Sequence, residues 1–246
     1  MFNPCVAHRG ASGLAPENTM SAFNAAMSFP FVQWIELDVQ LSRNGVPVVI
    51  HDDTLNRTTS AAGRVADFTT SQLSRLDAGR WFSKSFAGES LPLLEQVLDA
   101  TVGRCRLNIE LKTYGGRYPG MERRVVELLY AKGLERDAVI TSFDTEALRK
   151  VRELSPEVTT GLIIDAAPQS LVSDLFALGA SFLSIAHKRI THALMAAMKS
   201  REITVMAWTV NDIATMKKLA SIDPSLMICT NYPDRYGQLL LETSKR

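Results

Sequence analysis

Short runs rich in Val, Ile and Leu alternate, eight times over, with longer segments whose apolar residues recur at helical spacing. A strand that reads as a nearly continuous apolar run is buried on both faces, the environment of a parallel sheet with a covering helix after each strand. The expected strands are Cys5–His8, Trp34–Asp38, Cys105–Glu110, Val139–Ser142, Thr159–Ile164, Phe182–Ile185, Thr204–Trp208 and Met227–Thr230. The expected helices are Glu17–Phe29, Leu93–Ala100, Met121–Lys132, Asp144–Leu154, Pro168–Leu178, Thr191–Arg201, Asp212–Ile222 and Pro233–Leu241. Asp144 and Thr191 suit caps, while Pro168 and Pro233 suit a first helical turn. Eight such units in 246 residues fit a closed (β/α)8 barrel, but a doubly wound open sheet gives the same alternation, so the pattern leaves both open.

One segment breaks the alternation. Between the second strand and its helix lies 39–92, where Ser42-Arg43-Asn44-Gly45 reads as a hairpin turn into a returning strand, Val46–His51. Pairing Leu41 with Val46 would set His51 beside Glu36. The remainder, through Trp81-Phe82 and Gly88, reads as a small insertion over the barrel mouth, packed on its own aromatics. No internal repeat or second domain is evident, so 1–246 is expected to be one catalytic domain.

Charge narrows the partners. With 27 basic against 26 acidic residues there is no general attraction to nucleic acid or to an anionic membrane, so any anion specificity must be local. Cys5, Cys105 and Cys229 lack metal-finger or CxxC spacing and read as reduced thiols in a cytosolic chain. The first apolar stretch meets His8-Arg9 too soon for a signal peptide, and no later run is long enough to span a bilayer. A cytoplasmic location without stable membrane insertion is expected. A homodimer is allowed but not read from the sequence.

The chemistry-bearing residues fall at strand ends. His8-Arg9-Gly10 follows the first strand, at the barrel face that carries active sites. His8 can move a proton near neutral pH, Arg9 can fork onto an anionic oxygen, and Gly10 permits a tight turn or close approach to a ligand. Glu36 and Asp38, two apart on a strand, share a face, and Glu110 with Lys112 comes from the next strand. Three crowded carboxylates call for a cation. All-oxygen ligation suits Mg2+ or Ca2+, and not zinc. With Arg9 and Lys112 the set carries one net negative charge, which a divalent ion reverses so that a phosphodiester monoanion completes neutrality. His51-Asp52 supplies a second imidazole, so one histidine could remove a proton and the other return one. His187 could line the pocket, whereas His192 reads as solvated on a helix. At the remaining strand ends, Ser142-Phe143, Trp208–Asn211 and Thr230-Asn231 cluster polar and aromatic groups. Trp208 is a candidate for packing against the alcohol part of a substrate, with core packing as its alternative.

Together HRG at His8, PENT at Pro16, ELD at Glu36–Asp38, HDDTLNRTT from His51, NIELK from Asn108 and WTVN from Trp208 resemble the glycerophosphodiester phosphodiesterase family over nearly the whole chain. The resemblance implies a TIM barrel with a short insertion after the second strand. It also implies cleavage of small-molecule phosphodiesters such as glycerophosphocholine or glycerophosphoethanolamine to glycerol 3-phosphate and an alcohol. By the same likeness Glu36, Asp38 and Glu110 hold the metal, His8 and His51 are the acid–base pair, and Arg9 and Lys112 meet the phosphate. Asn231 stands where the family often shows Asp, which puts a substrate or supporting contact in doubt. Two rival readings use the same residues: a phospholipase D-like lyase, which needs an apolar groove for acyl chains, and a noncatalytic phosphometabolite sensor.

Overall fold

The computed structural model describes residues 3–244; Met1, Phe2, Lys245 and Arg246 of the expected domain lie outside the described residues. The elements run β1 (Cys5–His8), α1 (Met20–Met27), β2 (Val32–Leu41), β3 (Pro47–Val49), α2 (Thr70–Leu73), α3 (Leu94–Thr101), β4 (Arg106–Leu111), α4 (Met121–Lys132), β5 (Ala138–Ser142), α5 (Thr145–Leu154), β6 (Thr159–Ile164), α6 (Leu171–Leu178), β7 (Phe182–Ala186), α7 (His192–Lys199), β8 (Thr204–Trp208), α8 (Ile213–Ala220), β9 (Met227–Thr230) and α9 (Pro233–Ser244). Strands β1, β2 and β4 to β9 pair in parallel with their neighbours, and β9 pairs back onto β1. This closure selects the (β/α)8 barrel over the open sheet. The antiparallel β3 extends the sheet beside β2.

Strand alternation divides the core. On β2, Ile35, Leu37 and Val39 face outward into the large apolar layer shared with the helices, whereas Trp34, Glu36 and Asp38 take the opposite, inner face. Inside the barrel Val6, Val139, Phe182, Met206, Met227 and Cys229 pack as a separate cluster against Trp34 and Trp208. Gly161 on β6 makes room there: a Cβ at this position would come within 2.9 Å of Phe182 and Thr141 side-chain atoms. An apolar floor therefore lies beneath the polar residues at the strand ends.

The helix starts are set by caps. Asp144 accepts from the Glu146 and Ala147 amides, and Thr191 from that of Leu194, as the sequence suggests. Thr19 caps α1 through the Ala22 amide, so α1 begins after Glu17 and Asn18 and leaves both free for other work. Pro168 precedes α6 by three residues and accepts a bond from the Leu171 amide through its carbonyl, outside the first turn expected for it.

The hairpin register differs by one residue from expectation. Ser42 donates its amide to Val46 O, so the turn closes on Ser42, and the strands pair Leu41 with Pro47 and Val39 with Val49. His51 therefore does not stand opposite Glu36, and reaches the barrel mouth from the loop beyond β3. The insertion packs on aliphatic side chains, Val48, Ile50, Leu55, Val65, Leu73 and Leu91, while Trp81 lies at the surface with Phe82 and Phe86 half-buried beside it. The expected aromatic core of this segment is thus replaced by an aliphatic one. No helix among the described residues is long and apolar enough to cross a membrane.

Candidate active site

Register brings the carboxylates together. His8 lies across from Glu36 on adjacent strands, and Asp38 lies across from Glu110, both pairs at the C-terminal side of the barrel. Ligand oxygens of Glu36, Asp38 and Glu110 lie within 4.8 Å of one another, the only such cluster of three among the described residues. All three residues are buried. Glu36 Oε1 and Asp38 Oδ1 are sealed from water and accept no hydrogen bond; Lys112 Nζ stands 3.3 Å from Asp38 Oδ1 as an ion pair. Buried ionised oxygens without partners are costly, and a divalent cation among these three removes the cost. The donor set, all carboxylate oxygen, fits a hard ion such as Mg2+ or Ca2+.

The acidities reflect that crowding. Burial, then repulsion from Asp38 and Glu110, drives Glu36 well above the usual carboxylate range, and burial with Asp38 pushes Glu110 up to about 7. Burial opposes ionisation of Asp38 too, but Lys112 and Arg9 together outweigh it and hold Asp38 low. Arg9 donates its amide to Glu36 Oε2 (2.9 Å) and its NH1 to Glu17 Oε1 (2.9 Å), and its Nε stands 3.2 Å from Asp38 Oδ2. Lys112 donates to Glu110. The two cations expected on the phosphate thus reach carboxylates first.

Local backbone explains how Arg9 gets there. Arg9 and Gly10 both have positive φ, 55° and 79°, turning the chain sharply after β1. A Cβ on Gly10 would lie 2.6 Å from the Ala22 carbonyl carbon, so only glycine fits that approach to α1. Asn18, also left-handed at φ 56°, donates to Asp38 Oδ2 (2.8 Å) and accepts from the Asp38 amide (3.3 Å) while only 2% exposed.

Each imidazole is held through Nδ1. His8 Nδ1 donates to Asn231 Oδ1 at 2.7 Å, and His51 Nδ1 to Asp52 Oδ1 at 2.7 Å, so in both rings Nε2 is the nitrogen free to act. His8 Nε2 lies 3.8 Å from Glu36 Oε2. Burial and the neighbouring Arg9 lower His8 to about 4, and burial with Arg9 and Lys112 lowers His51 as well. The His51 loop is pinned from behind: the fully buried Gln40 donates to the carbonyls of Ile50, His51 and Asp52, Tyr118 donates to Gln40 Oε1 (2.6 Å), and Tyr114 donates to His51 O (2.7 Å).

One open cavity of about 170 Å³ is lined by His8, Arg9, Glu36, His51, Glu110 and Lys112. Its opposite wall carries no charge and includes Thr141, Phe143, Ile163, Ser184, Met206 and Trp208. Trp208 meets Phe143 edge-on (6.0 Å, 83°) and also packs on the inner cluster, so the same ring lines the cavity and belongs to the barrel's packing. His187 is not among the lining residues; its Nδ1 meets the Trp208 carbonyl at 3.3 Å. His192 is exposed at the start of α7.

A model of the glycerophosphoryl diester phosphodiesterase family matches residues 8–235. The chain belongs to this family. A glycerophosphodiester phosphodiesterase of Caldanaerobacter subterraneus subsp. tengcongensis is 35% identical over 215 residues, covering 87% of this chain and 88% of that protein. Another, from Bacillus subtilis, is 32% identical over 256 residues, covering 95% and 85%. Among solved structures, an Oleispira antarctica phosphodiesterase in complex with the product sn-glycerol-3-phosphate superposes with a TM-score of 0.88 at 29% identity, covering 96% of each chain. A glycerophosphodiester phosphodiesterase from Agrobacterium tumefaciens gives 0.83 at 32% identity, covering 96% of this chain and 99% of that one.

Within this phosphodiesterase fold, sequence reasoning missed the residues that hold the expected ones. Glu17, Asn18, Asp52 and Arg57 stand inside the quoted motifs without a role assigned to them. Asn231, where the family resemblance marked only a contact in doubt, bonds His8 directly. A polar residue adjoining a candidate ligand or imidazole was the available signal for Asp52. Asn231 was marked only by its departure from the family's usual Asp, and nothing local marks Gln40.

Proposed function

We propose that this chain hydrolyses glycerophosphodiesters, such as glycerophosphocholine or glycerophosphoethanolamine, to glycerol 3-phosphate and the free alcohol. The observation that carries the reading is the trio Glu36, Asp38 and Glu110, with unpartnered buried oxygens, in a cavity lined by two imidazoles that are both held by Nδ1. Family membership and the product named for the Oleispira antarctica enzyme support the substrate class.

In this mechanism Glu36, Asp38 and Glu110 would hold Mg2+ or Ca2+. When bound, the ion would supply positive charge for a phosphate oxygen and Lewis acidity toward the attacking hydroxyl. His8 and His51 act through Nε2, one taking the proton of the nucleophile and the other protonating the departing oxygen. Lys112 has three donors, of which Glu110 and Asp38 occupy two directions, leaving one for the phosphate. Arg9 Nε, buried and without a hydrogen bond, is the corresponding donor on the other flank. Phe143 and Trp208 receive the alcohol.

Charge balance gains a refinement. Glu17, Asp52 and Arg57 add two carboxylates and one cation to the charges counted from sequence, so a divalent ion brings the set to neutrality and not to net positive. The proton on the acid histidine then matches the phosphodiester monoanion. The cavity, about 170 Å³ and bordered on one side by charged groups, has little room for an acyl chain, which favours a glycerophosphodiester over an acylated lysolipid. Residues 1–246 act as one catalytic domain whose segment 39–92 borders the mouth, and the free, mostly buried thiols Cys5, Cys105 and Cys229 suit the cytoplasm.

The test is release of glycerol 3-phosphate from glycerophosphocholine with Mg2+ or Ca2+, set against lysophosphatidylcholine, and against chelator. His8→Ala and His51→Ala should each lose turnover while still binding the ion by calorimetry. Faster cleavage of the lysolipid, or full turnover without either histidine, overturns the reading.

A further inference from the structure

Arg57, in the loop between β3 and α2, has no place in the acid–base or metal chemistry, yet its guanidinium makes four hydrogen bonds to two carboxylates. NH1 and NH2 donate to Glu17 Oε2 and Oε1, both at 2.8 Å. Nε and NH2 donate to Asp52 Oδ2 and Oδ1 at 2.7 and 2.8 Å. Each carboxylate in turn holds a residue of the cavity: Asp52 Oδ1 accepts from His51 Nδ1, and Glu17 Oε1 from Arg9 NH1. A single planar cation therefore joins the two arms that carry His51 and Arg9.

We infer that Arg57 is a positioning residue, the strut that sets His51 and Arg9 relative to each other in the phosphodiesterase site. An isolated surface ion pair contributes ~0–1 kcal/mol and positions nothing. Here both forks are bidentate, the five groups Arg57, Glu17, Asp52, Arg9 and His51 form one network, and although the Arg57 side chain is 43% exposed, that of Glu17 is only 13% exposed. Glu17 lies 40 residues away in sequence, so no local turn explains the pairing. Without the guanidinium, Glu17 and Asp52 become unscreened carboxylates beside each other. They repel, and their separation carries Arg9 one way and the His51 ring the other. Lysine cannot replace the strut, because an ammonium is a point charge and cannot hold two carboxylates by parallel bonds.

This inference rests on the reading of His51 as half of the acid–base pair, and the experiment separates the two. Turnover of glycerophosphocholine at saturating Mg2+ is measured for Arg57→Ala, Arg57→Lys, Asp52→Asn, Arg57→Ala/Asp52→Asn and His51→Ala, alongside Mg2+ binding by calorimetry. A misplacement near 1 Å at a reacting group costs on the order of 10²-fold. Arg57→Ala is expected to lose about that in kcat, with KM raised as well because the phosphate donor Arg9 shifts and Mg2+ affinity within about threefold, and Arg57→Lys to recover less than about tenfold. The double variant should fall well short of the product of the two single losses, because Arg57 acts on His51 through Asp52. Nitrogen-15 spectra of the histidines should show His51 protonated on Nδ1 in the native protein and a mixture of tautomers in Arg57→Ala. Should Arg57→Ala fail to fold, Arg57→Lys supplies the same comparison through its kcat and its His51 tautomer. Multiplicative losses, native kcat in both Arg57 variants, or an unchanged His51 tautomer overturn the inference. If His51→Ala is inactive while Arg57→Ala is native, only the strut fails. If His51→Ala is itself active, the acid–base reading fails first.

Discussion

Replacing Asn18 tests whether the metal-facing geometry of Asp38 is built by hydrogen bonds or by backbone strain. Asn18→Gly removes the bond to the Asp38 carboxylate and leaves the Asp38 amide without its acceptor in a site of 0% exposure. The lost charge-assisted bond is worth about 1.5–3 kcal/mol and the stranded N–H about 1–3 kcal/mol. Water entering the space left by the side chain recovers part of this, so the net loss is about 3 kcal/mol. For a chain of this size each kcal/mol moves Tm by ~2–4 °C, which gives a fall of roughly 6–12 °C in calorimetry. Asn18→Ala keeps the same loss and adds about 1 kcal/mol, because an alanine Cβ resists the left-handed φ of 56° that asparagine tolerates. Divalent-ion affinity should drop ~10–100-fold in both variants, the range for partners that orient a ligand. A glycine variant with native Tm and native ion affinity would show that Asp38 stands without Asn18 and would sink the reasoning.

Four further outcomes are expected. Glu110→Gln should weaken Mg2+ binding by calorimetry beyond the ~100-fold upper range for an orienting partner, since it removes a ligand oxygen's charge outright; native affinity would remove Glu110 from the cage. Asp52→Asn deletes the carboxylate that favours the His51 imidazolium, so the limb of the pH–rate profile set by His51 should move to lower pH, and movement to higher pH contradicts the pairing. Phe143→Ala should raise KM by roughly 2–10-fold with little change in kcat, from ~0.5–1.5 kcal/mol of lost aromatic contact, as measured by steady-state kinetics. Gly161→Ala drives a methyl into Phe182 and Thr141 and should cost ~1–3 kcal/mol in thermal unfolding, with native Tm as the contrary result.

The barrel was legible because its parallel strands are buried on both faces and stand out as apolar runs between amphipathic segments. Closure was not, since pairing of β9 with β1 joins residues more than 200 apart and leaves no local trace. The carboxylates were readable from period-two spacing on β2 and from the matching end of β4. The hairpin register was misjudged by one residue because the turn closes on Ser42, whose side chain also bonds Val46 in both directions. Supporting residues were the least visible: Asn231 meets His8 across 223 positions, and Gln40 looks like any polar residue on a strand until the His51 loop folds over it. A solitary Asn or Arg in a loop has the same local pattern whether it is solvated or holds a histidine.

The two walls of the cavity come from different halves of the chain. Its charged side chains end at Lys112, and the wall without ionisable acid or base groups at the mouth begins at Thr141, with Asn108 the one amide among the lining residues of the earlier half. A chimera joined within α4 would exchange alcohol selectivity as a block while leaving the acid–base and ligand residues in their native sequence, provided an asparagine or its equivalent is kept at 231. Selectivity and reactivity are in this sense separable cassettes of one barrel.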